Sequence, residues 1–228
     1  MGVLAADKFH VQGHTRIGSQ GHEKLFYQFQ FQVSYFFPGE SDLVDQHAPD
    51  DVSPLIAELR RLEAPLGVFS VLGNHERARF GRGSELDDFV ADLERAGITT
   101  LVNRGVTVRD DLYLAGIDSV GGGFGRIRMA LEDRPPGIAT LVAAHKPDVL
   151  PLMPADVGLT LCGHTHGGQV RLPVIGPLLF DSRVSRVYSS GWYHSPSLGY
   201  VSRGLGVRHV PLRIACPAEL TIATLTPA

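Results

Sequence analysis

Two histidines stand one residue apart in the segment GHTHGGQ at residues 163–169. Glycines flank the pair on both sides, and a turn of this kind needs no imidazole rings. Each ring can give a nitrogen lone pair to a metal ion or move a proton near neutral pH. The pair therefore indicates metal binding or acid–base chemistry, in place of a role in the hydrophobic core.

Two further short motifs carry similar side chains, GNHE at residues 73–76 and AHKPD at residues 144–148. All three motifs follow directly on an apolar run that is typical of a β-strand. Ligand sites in α/β sheets gather at the carboxyl ends of the strands. We therefore expect Asn74, His75, His145, His164 and His166 to converge. Their nitrogen and oxygen donors suit Zn, Mn, Fe or Ni.

Two of the three motifs, taken alone, also have a purely structural explanation. A single histidine after a strand, such as His145, more often caps the strand or faces solvent. GNH alone can form a turn, because asparagine and glycine tolerate left-handed backbone conformations. The coincidence of three motifs at three strand ends favours the metal site over these explanations.

Helices and strands alternate along most of the chain. Residues 53–64 predict a helix capped by Ser53, and residues 84–97 predict a second helix capped by Ser84. Strands are expected at residues 67–74, 99–102, 106–109, 112–117, 138–145 and 159–164. Residues 26–37 alternate aromatic and polar side chains and predict one more strand. This order of elements predicts an α/β layered fold.

The composition excludes several classes of protein. A chain of 228 residues can form one large domain, and 43% hydrophobic with 20% charged residues is ordinary for a soluble globular protein. The net charge of −3 and the pI of 6.3 indicate no nucleic-acid-binding surface. Two cysteines argue against a disulfide scaffold. No apolar run reaches the length of a membrane span, and the first residues do not resemble a signal peptide.

GNHE, AHKPD and GHTHGGQ, in this order and spacing, resemble the motifs of the calcineurin-like metallophosphoesterases. The segments YVSRGLG and PLRIACPAELTIATL are similar to a subgroup of small bacterial phosphoesterases that includes UDP-diacylglucosamine pyrophosphohydrolase-like enzymes. The resemblance covers about residues 42–225. It implies one metallophosphoesterase domain over residues 1–228 with an atypical segment at 1–41. The implied fold is a four-layered α/β/β/α sandwich, in which helices flank two mixed β-sheets.

The resemblance also implies a role for each motif residue in a dinuclear centre of Mn²⁺, Fe²⁺ or Zn²⁺. It assigns His166 to the first metal, with Thr165 as a spacer within GHTH. His75 would lie beside the leaving group as the catalytic acid and would bind no metal. The implied ligands of the second metal are Asn74, His145 and His164.

Asp42 aligns with the aspartate that bridges both metals in the family, through the letters DLVD. The family's opening Asp-x-His motif, which gives the first metal two more ligands, has no counterpart with the same spacing. Asp7 and His10 lie at about the right distance upstream but are three residues apart. In a strand, residues i and i+3 point to opposite faces, so this pair needs a bulge or a turn to act together.

The chemistry implied by the resemblance is hydrolysis of a phosphomonoester, phosphodiester or pyrophosphate bond. Two cations about 3.5–4 Å apart neutralise the phosphoryl oxygens and activate a water as the attacking hydroxide. Two alternatives remain open because the first metal site is incomplete in the sequence. One is a metal-binding pseudoenzyme, and the other is an interaction module on the same scaffold.

The expected substrate is a small phosphate ester or a lipid-linked nucleotide, and no nucleic-acid partner is indicated. We expect a cytoplasmic protein, with peripheral membrane contact as an open alternative. Asp118 and Asp148 are conceivable hydrogen-bond partners of the metal ligands, but we expect both to be solvent-exposed loop carboxylates. The sequence leaves the oligomeric state, the metal and the natural substrate open.

Overall fold

Strands and short helices follow one another along the chain. The computed structural model describes residues 25–27, 43–44, 50–119, 126–178, 186–194, 196–207 and 212–225. The strands are β1 (Leu25–Tyr27), β2 (Val68–Ser70), β3 (Ile98–Thr100), β4 (Arg104–Arg109), β5 (Leu112–Ile117), β6 (Ala139–Ala144), β7 (Leu159–Cys162), β8 (Arg171–Leu172), β9 (Gly176–Pro177), β10 (Gly191–His194), β11 (Leu198–Val201) and β12 (Ala223–Leu225). The α-helices are α1 (Ser53–Leu59), α2 (Asn74–Phe80), α3 (Ser84–Arg95) and α4 (Ile127–Ala130), and 3-10 helices span Pro147–Leu152 and His166–Gly168.

The largest sheet has six strands in the order β10–β11–β7–β6–β5–β4. Its four central strands run parallel, and β4 and β10 are antiparallel to their neighbours at the two edges. The register pairs Ile117 with Ala144, and it pairs Ala144 with Cys162. β5, β6 and β7 therefore end at the same edge of the sheet. The residues that follow these strands lie side by side there.

Both faces of this sheet are buried, which explains why its central strands are apolar throughout. In β5 every residue is buried. Leu112 and Leu114 pack with β6 and β7 leucines on one face, whereas Tyr113, Ala115 and Ile117 belong to a separate cluster on the other face. The second cluster also contains Ala130 of α4 and residues of the 3-10 helix Pro147–Leu152.

A second, two-stranded sheet pairs β2 with β3 in parallel. Helices α1 and α3 cover it through a hydrophobic cluster that includes Leu59, Leu93 and Ile98. Gly116 lets this unit approach the large sheet closely. A Cβ atom at Gly116 would lie 2.1 Å from the Cβ of Leu101, which follows β3. Any larger residue at Gly116 would therefore push the two units apart.

Both long helices predicted from the sequence are present, but their caps are shifted by one residue. The N-cap of α1 is Val52 rather than Ser53, and the N-cap of α3 is Gly83 rather than Ser84. Neither N-cap makes a side-chain hydrogen bond to the helix. At α1, the Ser53 N–H instead donates to Asp51 Oδ1, so that carboxylate supplies the acceptor expected from the serine.

The predicted strand at 112–117 is confirmed with the same bounds, and the strands predicted near 68, 99, 106, 139 and 159 are present with shifted ends. Residues 74–80 form helix α2, where the sequence indicated only a turn. In the N-terminal region, Leu25–Tyr27 pair antiparallel with Ala223–Leu225. Most of the predicted strand at 26–37 lies outside the described residues, as do Asp7, His10 and Asp42.

The described chain is therefore an α/β protein with mixed sheets flanked by helices, as the sequence predicted. Within the described ranges, none of the helices combines the length and the apolar character that crossing a bilayer requires.

Candidate metal centre

Three of the predicted ligands meet beyond the carboxyl edge of the large sheet. His145 follows β6, His164 lies two residues after β7, and Asn74 is the first residue of α2. His145 Nε2 lies 2.9 Å from Asn74 Oδ1 and 2.8 Å from His164 Nδ1. Both imidazoles are 6% exposed, so these contacts are shielded from water.

Hydrogen bonding alone satisfies this group poorly. Asn74 Oδ1 is an acceptor, and each ring nitrogen carries either one proton or one lone pair. A proton on His145 Nε2 would have to be shared between Asn74 Oδ1 and His164 Nδ1. A proton on His164 Nδ1 would leave two acceptors, Nε2 and Oδ1, facing each other. A cation would instead accept all three lone pairs at once.

The donor set and its spacing fit a divalent cation. Two donors that are each about 2.1 Å from a cation, at a right angle, lie about 3.0 Å apart. The distances of 2.8 and 2.9 Å are close to that separation. Two imidazole nitrogens with one amide oxygen suit Zn, Mn or Fe. Among the residues that the structure describes, no cluster of three or more His, Cys, Asp or Glu side chains could hold a metal, so the third donor here is an amide.

The GHTHGG loop has an unusual backbone that aims its two histidines. His164 has φ 70° and His166 has φ 51°, both in the left-handed region that non-glycine residues rarely adopt. Thr165 between them does more than act as a spacer, which corrects the expectation from the sequence. Its hydroxyl donates to the Ser189 carbonyl at 2.6 Å and accepts from the Gly167 N–H at 3.2 Å. These two bonds help to hold the strained turn.

Gly167 is required in this loop because of its surroundings. Its φ is 64°, and a Cβ atom there would lie 2.6 Å from both Cys216 Sγ and Arg203 Cγ. The Cys216 thiol in turn donates to the His166 carbonyl at 3.2 Å. The C-terminal segment around Cys216 therefore packs directly beneath the histidine loop.

His166 is 3% exposed, and its Nδ1 lies 3.2 Å from the Gly206 carbonyl. A carbonyl can only accept, so this hydrogen bond requires the proton on Nδ1, and in the neutral ring Nε2 then has the lone pair. This is the arrangement found in histidines that bind metals, in which the second nitrogen donates to an acceptor outside the coordination shell.

The GNHE motif is held in place by Glu76. This carboxylate is 1% exposed and accepts the Gly73 N–H at 2.8 Å and the Val44 N–H at 2.8 Å. The first bond closes the N-terminal turn of α2 just before Asn74. The second ties that turn to a segment 32 residues earlier, two residues after Asp42. Asp42 itself lies outside the described residues, and its role as a bridging ligand stays a prediction.

His75 is the second residue of α2 and is half-buried beside Asn74. Its assignment as the catalytic acid stays a prediction, as do the ligand assignments of the other motif residues.

Asp118 is buried, contrary to the expectation of an exposed loop carboxylate. It follows β5, beside His145, and forms a two-point ion pair with Arg77 of α2, whose Nε lies 3.1 Å from Oδ1. Its remaining contacts include the Ser119 N–H at 2.8 Å. The pair connects α2 to the sheet edge, and it compensates the charge of a carboxylate at 1% exposure. Asp148 is half-buried in the first turn of its 3-10 helix.

Sequence reasoning missed Glu76 and Arg77 as parts of this centre, and it favoured an exposed position for Asp118. Glu76 carried a signal, because it stands three residues after the N-cap Gly73, where acidic side chains commonly bond to the cap. Arg77 carried none, because its partner Asp118 lies 41 residues away in the sequence.

The chain resembles curated proteins over most of its length. It is 33% identical to an uncharacterized metallophosphoesterase of Bacillus subtilis over 75% of this chain and 60% of the relative. It is 33% identical to a phosphodiesterase of Escherichia coli over 69% of this chain and 57% of the relative. A bovine transmembrane protein with a metallophosphoesterase domain is 30% identical over 79% of this chain and 43% of that protein. The chain therefore spans about half of the length of these relatives.

No family model matches the chain, and no solved structure matches it. The relatives include both bacterial and mammalian proteins, so the match does not restrict the chain to a bacterial group.

Replacing Glu76 by Gln should destabilise the GNHE turn. The new amide nitrogen would face one of two backbone N–H donors in a buried position, which replaces an attraction by a repulsion. We expect a loss of about 2 kcal/mol in the free energy of unfolding, measured by urea denaturation.

The matched control is Glu58→Gln, which alters an exposed ion pair with Arg61 one helical turn away. Such a pair contributes about 0.2–0.5 kcal/mol. Equal losses in the two variants would show that Glu76 does not anchor this turn.

Proposed function

We propose that this chain, which belongs to the metallophosphoesterase family, is a metal-dependent hydrolase of phosphoric ester bonds. The names of its relatives, metallophosphoesterases and a phosphodiesterase, indicate a hydrolase that acts on such bonds. The observation that carries the proposal is the position of His145 Nε2, which lies 2.9 Å from Asn74 Oδ1 and 2.8 Å from His164 Nδ1.

The proposed ligands divide between two divalent cations, with Mn²⁺, Fe²⁺ or Zn²⁺ as candidates. Asn74, His145 and His164 would hold the second metal, and His166 with a bridging Asp42 would hold the first. Cations bound there would polarise the phosphoryl oxygens and lower the pKa of water, which makes a nucleophile accessible near neutral pH.

The residues of the chain supply positioning and proton transfer. The bond from His166 Nδ1 to Gly206 fixes its tautomer, and the Glu76 carboxylate fixes the turn that carries Asn74. His75, beside Asn74 at the start of α2, would donate a proton to the departing oxygen of the ester. General acids of this kind accelerate cleavage by roughly 10²–10⁴-fold.

The first metal is proposed to bind more weakly than the second. Only Asp42 and His166 are assigned to it from matching motifs, and the spacing of Asp7 and His10 requires a bulge or a turn before both could contribute. If the first site proves non-functional, the chain would be a metal-binding pseudoenzyme or an interaction module on the same scaffold.

A four-layered α/β/β/α sandwich is the proposed arrangement of the fold. The three hydrophobic clusters support it. One lies between the helices α1 and α3 and the β2–β3 sheet, and the other two lie on opposite faces of the large sheet.

The proposed substrates include lipid-linked phosphate esters such as a lipid-linked nucleotide, together with small phosphate esters. Support for the lipid class comes from the apolar hairpin, defined here as residues 171–177 with strands β8 and β9. At its tip, Val174 is fully exposed and Ile175 is 68% exposed. The hairpin begins two residues after the GHTHGGQ motif. One relative is named a transmembrane protein, which also supports contact with a bilayer.

The variant His164→Ala should lose the second metal. Removing one of three described donors leaves only His145 and Asn74, so we expect the metal content of the purified chain to fall by one equivalent. Hydrolysis of bis-nitrophenyl phosphate should fall to near background.

His194→Ala is the matched control, because His194 is exposed at the end of β10. It should keep the metal content and the activity of the original chain. Unchanged metal content in His164→Ala would overturn the ligand assignment. A fully metal-loaded original chain that hydrolyses no phosphate ester would favour the pseudoenzyme.

The variant His75→Asn should bind metal normally but turn over more slowly. For esters with alkoxide leaving groups, we expect kcat to drop by roughly 10²–10⁴-fold, because these groups need a proton as they depart. For nitrophenolate, which leaves readily as an anion, the drop should be much smaller. An equal drop for both kinds of ester would contradict the role of His75 as the acid.

The apolar hairpin should bind phosphatidylcholine vesicles. We expect the chain to co-sediment with them and the double variant Val174→Asp, Ile175→Asp to remain in the supernatant. Leu152→Asp is the control, since Leu152 is 63% exposed in a different element. Failure of the original chain to sediment, or equal sedimentation of all three proteins, would refute membrane contact through this hairpin.

A further inference from the structure

Arg213 is surrounded by backbone carbonyls of the C-terminal region. Its Nε donates to the Gly206 carbonyl at 3.0 Å, and its Nη1 donates to the His166 carbonyl at 3.2 Å. The same guanidinium also donates to the carbonyls of Arg203 at 2.8 Å, of Gly204 at 3.2 Å and of Cys216 at 3.2 Å. One side chain therefore joins residues 203–206, the histidine loop and residue 216.

Two of these bonds involve His166, one through its main chain and one through the acceptor of its ring proton. The carbonyl of Gly206 accepts from Arg213 Nε and also from His166 Nδ1, at 3.0 and 3.2 Å. The carbonyl of His166 accepts from Arg213 Nη1. Arg213 thus holds both the main chain of His166 and the acceptor of its ring proton.

The backbone conformation of His166 explains why this loop needs such bonds. His166 has φ 51°, a conformation that costs free energy in a residue with a Cβ atom and persists only where its surroundings impose it. A guanidinium can bind several carbonyls at once, because its five N–H groups are fixed in one plane. Burial lowers the pKa of Arg213, but arginine keeps its charge in proteins. Lysine has the charge without the planar fork.

We propose that Arg213 is the positioning residue of His166, holding its ring in the Nδ1–H tautomer and its Nε2 lone pair available to the first metal. The inference rests on the proposed function as far as the metal is concerned. Because the Arg213 bonds described above reach His166 and its acceptor Gly206, loss of Arg213 should weaken the first metal in preference to the second.

The test uses Arg213→Met and Arg213→Lys in the full chain, with Mn²⁺ titration followed by the EPR signal of the free ion. We expect the weaker binding event to lose about 10–100-fold in affinity in both variants, as is usual when the partner of a metal-binding histidine is removed. The tighter event should stay unchanged. Equal weakening of both events, or of neither, would overturn the proposal.

A readout without metal separates this inference from the proposed function. Nitrogen–proton correlation NMR of the metal-free chain should show His166 protonated at Nδ1, and the variants should show a mixture of tautomers. An unchanged tautomer in both variants would overturn the positioning role, whether or not the chain binds metal. If the original chain binds no Mn²⁺ but the tautomer changes as expected, the proposed function fails and the positioning role stands.

Arg134→Met is the matched control, because Arg134 is a partly buried arginine that pairs with Asp156 at 2.6 Å. The two residues precede β6 and β7, so they lie towards the amino ends of these strands, away from the histidines. It should alter neither the titration nor the His166 spectrum. If Arg213→Met does not fold, Arg213→Lys keeps the charge and most of the length, and its spectrum and titration decide the outcome. Restoration of the Nδ1–H tautomer in Arg213→Ala by added guanidinium ion would support the role directly.

Discussion

Three polar side chains from distant parts of the chain converge at the carboxyl edge of the large sheet, and this convergence constrains the surrounding structure. His145 Nε2 lies 2.9 Å from Asn74 Oδ1 and 2.8 Å from His164 Nδ1, and this ring nitrogen has only one proton or one lone pair for the two contacts. An arrangement of this kind costs free energy. It persists only where the surrounding bonds hold it in place or where a ligand satisfies the three atoms. Much of the polar structure near the sheet edge serves to impose it.

The bonds that hold these side chains in place come from both sides of the site. On the side of α2, Glu76 fixes the turn before Asn74, and Arg77 reaches across to Asp118 at the end of β5. A buried ion pair contributes little net stability, because desolvation offsets the attraction between the charges. The pair Arg77–Asp118 does, however, connect α2 to the strand beside β6, so it fixes the helix that carries Asn74 relative to His145. On the other side, the Thr165 hydroxyl bonds to the Ser189 carbonyl and the Gly167 N–H, which holds the turn that follows His164.

The parts of this centre that the sequence predicted are those governed by local rules. His145 and His164 follow apolar runs, and parallel strands in register must end at one edge, so their convergence followed from the pattern of strands. The bounds of β5 were predicted because both faces of the strand are buried, which makes the sequence apolar from Leu112 to Ile117. The predicted caps of α1 and α3 were wrong by one residue, and at α1 the Ser53 N–H donates to Asp51 Oδ1.

The parts that the sequence did not predict depend on contacts between distant segments. Glu76 binds Val44 across 32 residues, Arg77 binds Asp118 across 41, and Arg213 binds His166 across 47. No periodicity or local motif records such contacts. All three side chains act on the backbone or on the second layer around the candidate ligands, and none belongs to the donor set itself. The candidate ligands can therefore be predicted from short motifs, whereas the groups that orient them are identified only from the contacts of the folded chain.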